Sequence, residues 1–470
     1  MIESNSFKIS VLFSGIFLSI IPDILNLNDG FTSDGKLVIR MLILMIFCWL
    51  TEIIPISITA LLPILFSPFF LEIKFTEVLS NYASSVVFLL LGGFILAQGF
   101  EKSQLHKRIA LKTLLEFGKT RKRIIFIIMF ASAFFSMWLS NTATCLLMLP
   151  IVKNILDSNF NTSDDNEFSK FLILSIAYAS SIGGMATPIG TIPNAVMIGF
   201  LKENHNIEID FVQWFTFGFP LVLILLFLLF GYLGLKFENK NVDRTFIRKK
   251  FQELGNFSFK EKVTVFILTL TLSLWILKNT LNEALGINLN DAVIAIFGSF
   301  LFFIIPIKKS NFILSSDWYR NIPWNVLILF GDGLSMASLI TSTGLANEFS
   351  KILYIFNSFK LLTLIFIIAI ITSFLTEFTS NTATTFLLLP ILSIFALNNN
   401  IDVINLTLPF VLAASCAFMM PIATPPNAIV YSSNKFKISF MASNGFFINL
   451  ISVTIISLYV YFLIISKTLL

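Results

Sequence analysis

The chain has 470 residues, 56% of them hydrophobic, with a mean hydropathy of +0.86. Only 13% are Asp, Glu, Lys or Arg, about half the share of a typical soluble domain. This excludes a soluble enzyme and a disordered scaffold and leaves an all-α polytopic membrane protein; the net charge of +5 reports topology before it reports nucleic acid.

A hydrocarbon core about 30 Å thick takes about 20 residues per helix. Apolar stretches near 9–27, 37–51, 53–71, 84–100, 168–200, 212–235, 262–280, 291–307, 323–343, 405–433 and 439–466 predict about 11 transmembrane helices. The first lacks a basic leader and a small-residue cleavage site, so it reads as a crossing and not a signal peptide. Glu101 to Lys119 is basic and polar with interleaved Leu105, Ile109, Leu111, Leu114 and Leu115, the pattern of an amphipathic helix on the inner surface; 344–360 is its outer counterpart. Two further apolar runs, 122–158 and 361–397, carry polar clusters in their middles. Straight crossings would leave those clusters in lipid, so each is predicted to be a re-entrant hairpin. The longest polar stretch, Glu238 to Lys262, reads as a loop. Cys48, Cys145 and Cys416 lie in apolar runs without paired spacing, and His106 and His205 are too few for an ordinary metal centre.

With both hairpins returning to their own side and the N-terminus inside, 24 of the 32 basic residues face the cytoplasm. Eleven crossings then place the C-terminus outside.

The sequence repeats internally. Ser140-Asn141-Thr142-Ala143-Thr144 recurs as Ser380-Asn381-Thr382-Ala383-Thr384, and eight of eleven positions through Pro150 and Pro390 are identical at an offset of 240. Downstream, Gly190-Thr191-Ile192-Pro193-Asn194-Ala195 matches Ala423-Thr424-Pro425-Pro426-Asn427-Ala428. Upstream, Leu90-Leu91-Gly92-Gly93 faces Leu329-Phe330-Gly331-Asp332-Gly333. Five crossings per copy make the second copy enter from the opposite face. Inverted repeats with discontinuous helices mark secondary transporters that bind their cargo at the midplane. The organisation read here is an N-terminal helix at 1–35, a first repeat at 36–240 with its hairpin at 122–158 and broken helix at 168–200, a cytoplasmic linker at 241–261, and a second repeat at 262–470 with hairpin 361–397 and broken helix 405–433.

A Ser-Asn-Thr cap belongs at a membrane surface, yet these two lie between apolar arms. The helix following each aims its free N–H groups into the protein, where about half a positive charge favours anions. The carbonyls freed around Ser136 to Ser140 suit Na⁺, a hard cation that takes oxygen ligands. Pro188 and Pro193, and likewise Pro425 and Pro426, break their helices beside Thr and Asn. Neither tip nor either break holds Lys or Arg, so a bound dianion leans on helix N-termini, amide and hydroxyl donors and co-bound cations. Glu52 and Glu377 are the carboxylates near these segments; Glu377 reads either as a paired carboxylate or as a proton or cation site.

At these residues the sequence resembles the divalent anion:sodium symporter family. The resemblance covers nearly the whole chain and is carried by Trp49-Leu50-Thr51-Glu52-Ile53-Ile54-Pro55, the two Ser-Asn-Thr segments, Leu375-Thr376-Glu377-Phe378-Thr379-Ser380, and Ala423-Thr424-Pro425-Pro426-Asn427-Ala428. It implies a homodimer with an elevator-type transport domain and at least two Na⁺ sites: Ser136, Ser140, Asn141 and Gly190 at one, Thr376, Ser380, Asn381 and Ala423 at the other. It implies substrate contacts from Asn141, Thr142, Thr191, Asn381, Thr382, Thr424 and Pro425. One departure is Ile192, where the family often has a second proline. The reading is a Na⁺-coupled carrier for a C4-dicarboxylate in a bacterial plasma membrane, not an enzyme. Alternatives are a dicarboxylate exchanger, a proton-coupled anion carrier, a sulfate transporter or an anion channel.

Overall fold

The structure is a computed structural model and describes residues 5–24, 31–51, 53–71, 73–159, 163–307, 311–352 and 358–466. Helices account for all regular structure beyond one isolated bridge between Thr120 and Asn241 among the described residues. Among the described residues, six helical stretches are long and apolar enough to cross a membrane: Phe75–Ser103, which comprises the helices Phe75–Tyr82 and Ser85–Ser103, and the helices Phe211–Leu233, Phe259–Leu285, Trp324–Ser342, Asn381–Asn398 and Ile438–Ile465. Shorter apolar helices include Leu361–Leu375 and Val403–Ala414. These are short because the first is a hairpin arm and the second is half of a broken helix.

Most expected elements appear where the hydropathy placed them. Each run expected to be a hairpin is two helices separated at the Ser-Asn-Thr segment: Arg121–Ser136 and Asn141–Asn159, and Leu361–Leu375 and Asn381–Asn398. Both broken helices form, as Ser163–Gly184 with Ile192–His205, and as Val403–Ala414 with Pro425–Tyr431. The amphipathic segment is helix Leu105–Phe117, and its outer counterpart includes Leu345–Ile352; residues 353–357 lie outside the described residues.

Three places differ. The run 53–71 is not one spanning helix but two short ones, Ile56–Thr59 and Leu62–Phe70; Pro55, Pro63 and Pro68 punctuate it. A short helix, Phe75–Tyr82, precedes the run at 84–100. The stretch Glu238 to Lys262 is not all loop: it contains helix Thr245–Glu253. Arg108 holds that segment in place. Its guanidinium donates to the carbonyls of Leu254, Gly255 and Asn256 at 3.0–3.2 Å and pairs with Glu261 at 2.5 Å.

Small residues let helices approach closely, as membrane bundles require. A Cβ added at Gly183 would lie 2.3 Å from the Ala133 carbonyl oxygen, so the broken helix packs directly on the first hairpin arm. Cys48, Cys145 and Cys416 are buried free thiols.

Candidate functional site

The two hairpin tips begin helices within the protein. Ser140 accepts from the Ala143 N–H at 3.2 Å, an ordinary cap bond that is exposed at the cavity lining. Ser380 caps its helix in an extended conformation and makes no such bond.

The two breaks re-enter their helices in the same way. Thr191 has φ −141° and ψ 144°, and Thr424 has φ −143° and ψ 150°. Ile192 and Pro425 both occupy the first helical position, where proline costs nothing because that N–H has no partner to lose. The missing second proline therefore leaves the first break's shape unchanged.

Backbone groups freed at membrane depth must find partners. At the first break, the Asn194 amide donates to the Gly184 carbonyl at 3.1 Å and to Thr187 at 2.8 Å. Asn427 repeats this 233 residues later, donating to Ala417 at 3.0 Å and Met420 at 2.9 Å. Beyond that shared pair the two breaks differ. Trp214 Nε1 donates to the Met185 carbonyl at 3.0 Å, and the Thr187 hydroxyl to Met137 at 2.6 Å. At the second break the partners come from Glu377, whose carboxylate accepts from the N–H groups of Phe418, Met419 and Met420 at 2.7–2.9 Å and from Asn449 Nδ2 at 2.7 Å. Tyr178 and Ser373 take the carbonyls of Phe418 and Cys416, at 2.8 and 2.7 Å.

The first tip and break also gather oxygens. A Cβ added at Gly190 would sit 2.5 Å from the Gly184 carbonyl oxygen and 2.9 Å from that of Ser136. One added at Gly184 would sit 2.7 Å from Asn141 Oδ1 and 2.9 Å from the Gly190 carbonyl oxygen. The absent side chains thus leave a cradle of three carbonyls and one amide oxygen, the donor set a hard monovalent cation needs. Ser136 Oγ donates to Asn141 Oδ1 at 2.7 Å and fixes which way that amide faces. In the second unit Asn381 Oδ1 is buried and has no hydrogen-bond partner.

Both tips and both breaks open on one cavity of about 530 Å³. Its lining includes Ser140, Asn141, Thr142, Gly190, Thr191, Ser380, Asn381, Thr382, Ala423, Thr424 and Pro425, and none of its lining residues is charged. Three helices of 14 to 19 residues, starting at Asn141, Ile192 and Asn381, begin in this lining. Such an uncharged chamber walled by helix N-termini and free oxygens is suited to an anion accompanied by cations.

A family model described as the sodium:sulfate symporter transmembrane region matches residues 7–465. The chain belongs to the divalent anion:sodium symporter family. Members of this symporter family are membrane transporters, not enzymes. The chain is 37% identical over 482 residues to the "Sodium-dependent dicarboxylate transporter SdcS" of Staphylococcus saprophyticus, covering 98% of this chain and 93% of that protein. The protein of the same name from Staphylococcus aureus strain USA300 is 38% identical over 431 residues, covering 88% and 83%. In fold, the chain is similar to the Alcanivorax borkumensis YdaH transporter, with a TM-score of 0.57 at 12% identity over 84% of this chain and 88% of that one.

Of the residues that the symporter resemblance singled out, Ser136 and Thr376 do not line the cavity. Both are fully buried behind it, and the Thr376 hydroxyl donates to the Ser373 carbonyl at 3.0 Å. Glu377 takes the paired role. Glu52 lies outside the described residues. Asn194 and Asn427, which stand beside the breaks in the repeated motif, give the freed backbone its polar company. Sequence reasoning missed the more distant supports: Trp214, Tyr178 and Asn449. It also missed Ser57 and Asn325, which reach the cavity from other helices.

Proposed function

We propose that this chain is a secondary active transporter that carries a C4-dicarboxylate such as succinate or malate together with Na⁺. The observation that carries the reading is the single uncharged cavity where both Ser-Asn-Thr tips meet both helix breaks. A dianion there is opposed by about half a charge from each helix N-terminus, which is insufficient, and burying unpaired charge is costly. Co-bound Na⁺ supplies the remainder, so the anion and the cation need each other. The oxygen cradle at Ser136, Asn141, Gly184 and Gly190 supports one cation site. The unpartnered Asn381 Oδ1, with Ser380, Thr376 and Ala423, supports a second. The tip amides Asn141 and Asn381 and the hydroxyls of Thr142, Thr191, Thr382 and Thr424 meet the substrate carboxylates, with Pro425 beside them. The names of the SdcS relatives favour this cargo.

The two hairpins and broken helices belong to inverted repeats, 36–240 and 262–470, and move together as an elevator within a homodimer. The N-terminus lies in the cytoplasm of a bacterium and the C-terminus outside, as the distribution of 24 of 32 basic residues favours.

The test is uptake of labelled succinate into proteoliposomes with and without a Na⁺ gradient, together with calorimetric titration of succinate at several Na⁺ concentrations. Replacing Na⁺ by choline at constant ionic strength is expected to weaken succinate binding steeply, and succinate to tighten Na⁺ by the same factor. Equal affinity with and without Na⁺ refutes sodium coupling and leaves an exchanger or a proton-coupled carrier.

A further inference from the structure

Helix Trp324–Ser342 carries a carboxylate in its middle, Asp332, flanked by Gly331 and Gly333. The side chain is fully buried, and neither Oδ1 nor Oδ2 has a hydrogen-bond partner. This is the opposite of Glu377, which is equally buried and accepts four hydrogen bonds. An ionised carboxylate without partners is expensive to bury, and such a group takes up a proton or a cation instead. Ionisable residues inside membrane helices most often mark ion pathways.

The position of Asp332 gives this a function. Residues 325, 329, 332 and 336 fall on one stripe of an α-helix. Asn325 and Leu329 line the substrate cavity, so Asp332 lies one turn further along the same face. On either side the helix is tightly packed. A Cβ at Gly331 would meet the Tyr82 Cα at 2.6 Å, and one at Gly333 would meet the Phe386 ring of the second hairpin. The nearby donors are engaged elsewhere: the Tyr82 hydroxyl donates to the Ala60 carbonyl at 2.6 Å and Ser335 Oγ to the Gly331 carbonyl at 2.9 Å. Three further hydroxyls on the segments packed here, Thr59, Ser67 and Ser84, are also buried without partners. The corresponding segment of the first repeat, Leu90-Leu91-Gly92-Gly93, holds no carboxylate, so this acid is a feature of one half only.

The charged surroundings are sparse. Helices Ile56–Thr59, Leu62–Phe70 and Asn381–Asn398 carry no titratable side chain. Tyr82 is the titratable group within electrostatic reach. Asp34, Lys36, Glu77, Glu101, Lys102, Lys202, Glu203, His205 and Glu348 lie in the end turns of their helices, and Arg40 is paired with Asp23 at 2.5 Å. A proton neutralises the acid with no further ligand, whereas Na⁺ requires several converging oxygens of the kind gathered at Gly184 and Gly190.

We propose that Asp332 is a proton-binding site at the floor of the cavity, and that its bound proton keeps the floor neutral while a dianion occupies the space above. Loss of that proton places a negative charge beneath the substrate and weakens its binding. The proposal rests on reading the cavity as the dianion site.

The test uses the purified full-length protein in proteoliposomes. Infrared difference spectroscopy should show the carbonyl stretch of a protonated carboxylic acid in the unaltered protein and its loss in Asp332→Asn. Asp332→Asn mimics the protonated acid, so it should keep succinate uptake and Na⁺ dependence at neutral pH. In alkaline buffer, the unaltered protein's KM for succinate should rise about tenfold, the order of magnitude of adding one like charge in a partly screened interior, while the variant's KM stays flat. A band that persists in the variant overturns the proposal. So does a variant whose Na⁺ activation curve shifts, which would make Asp332 a sodium ligand. Should Asp332→Asn fail to fold, Asp332→Gly removes the carboxylate and is read by the same criteria. Absence of any succinate uptake by the unaltered protein counts against the cavity reading, not against the protonated acid, because the infrared band reads Asp332 without transport.

Discussion

At the first helix break, side-chain N–H groups bind the freed carbonyls: Asn194 takes Gly184 and Thr187, and Trp214 takes Met185. At the second, one carboxylate binds the freed N–H groups of Phe418, Met419 and Met420. The matching position to Glu377 in the first repeat is Met137, which contributes only its backbone carbonyl, to Thr187. Nearly identical tip sequences are thus held by different means. The first unit packs its backbone tightly enough that no Cβ fits at Gly190, while the second already carries one at Ala423. The likeness lies in what faces the cavity, and the difference in what supports it from behind.

The comparison is most sharply tested at the tips, where the two units should behave alike. Asn141→Ala and Asn381→Ala are each expected to lower succinate uptake by about 100-fold or more, the scale seen when a positioning group is lost. Both variants should elute as intact folded protein on size-exclusion chromatography. Near-normal transport by either one removes that tip from the site.

Behind the tips the units should diverge. Glu377→Gln places an amide NH₂ where an oxygen now accepts, facing backbone donors of which Phe418 alone reaches a second acceptor, Asn449 Oδ1 at 3.3 Å. A loss of about 3 kcal/mol or more is expected from these charge-assisted bonds. Thr187→Val removes only a hydroxyl bridge in the first unit and should cost about 1 kcal/mol. Thermal unfolding in detergent compares the two, and equal effects would dissolve the distinction.

Gly190→Ala forces a Cβ to within 2.9 Å of two carbonyl oxygens, which costs about 1–3 kcal/mol and spoils the cation cradle. Ala423→Gly should cost about 0.5–1 kcal/mol through chain entropy alone. Na⁺ titration by thermal shift should show the first variant losing Na⁺ stabilisation and the second keeping most of it.

The smallest effect is expected at Ile192→Pro, which copies the second break into the first. The backbone already has the required shape, so stability should change by less than about 1 kcal/mol. A large loss of uptake would show that the Ile192 side chain contributes more than its backbone position.

The crossings, the hairpins and the breaks are legible in the chain because they depend on local quantities: the length of an apolar run, a polar cluster within it, and a proline that cannot continue a helix. The repeated Ser-Asn-Thr and Pro-Asn segments likewise identify the cavity walls before any coordinates are known. The run 53–71 escaped because its apolar length outweighed its prolines: Pro55 precedes the first short helix and Pro63 opens the second, while Pro68 lies within it. What the chain alone could not decide was the state of its buried carboxylates. Glu377 stands in the polar cluster of its run and is visible in sequence, whereas Asp332 sits between two glycines of an apolar run and does not stand out. One is satisfied by donors 41 to 72 residues away and the other by none, because only the folded bundle fixes which distant N–H groups reach a buried acid.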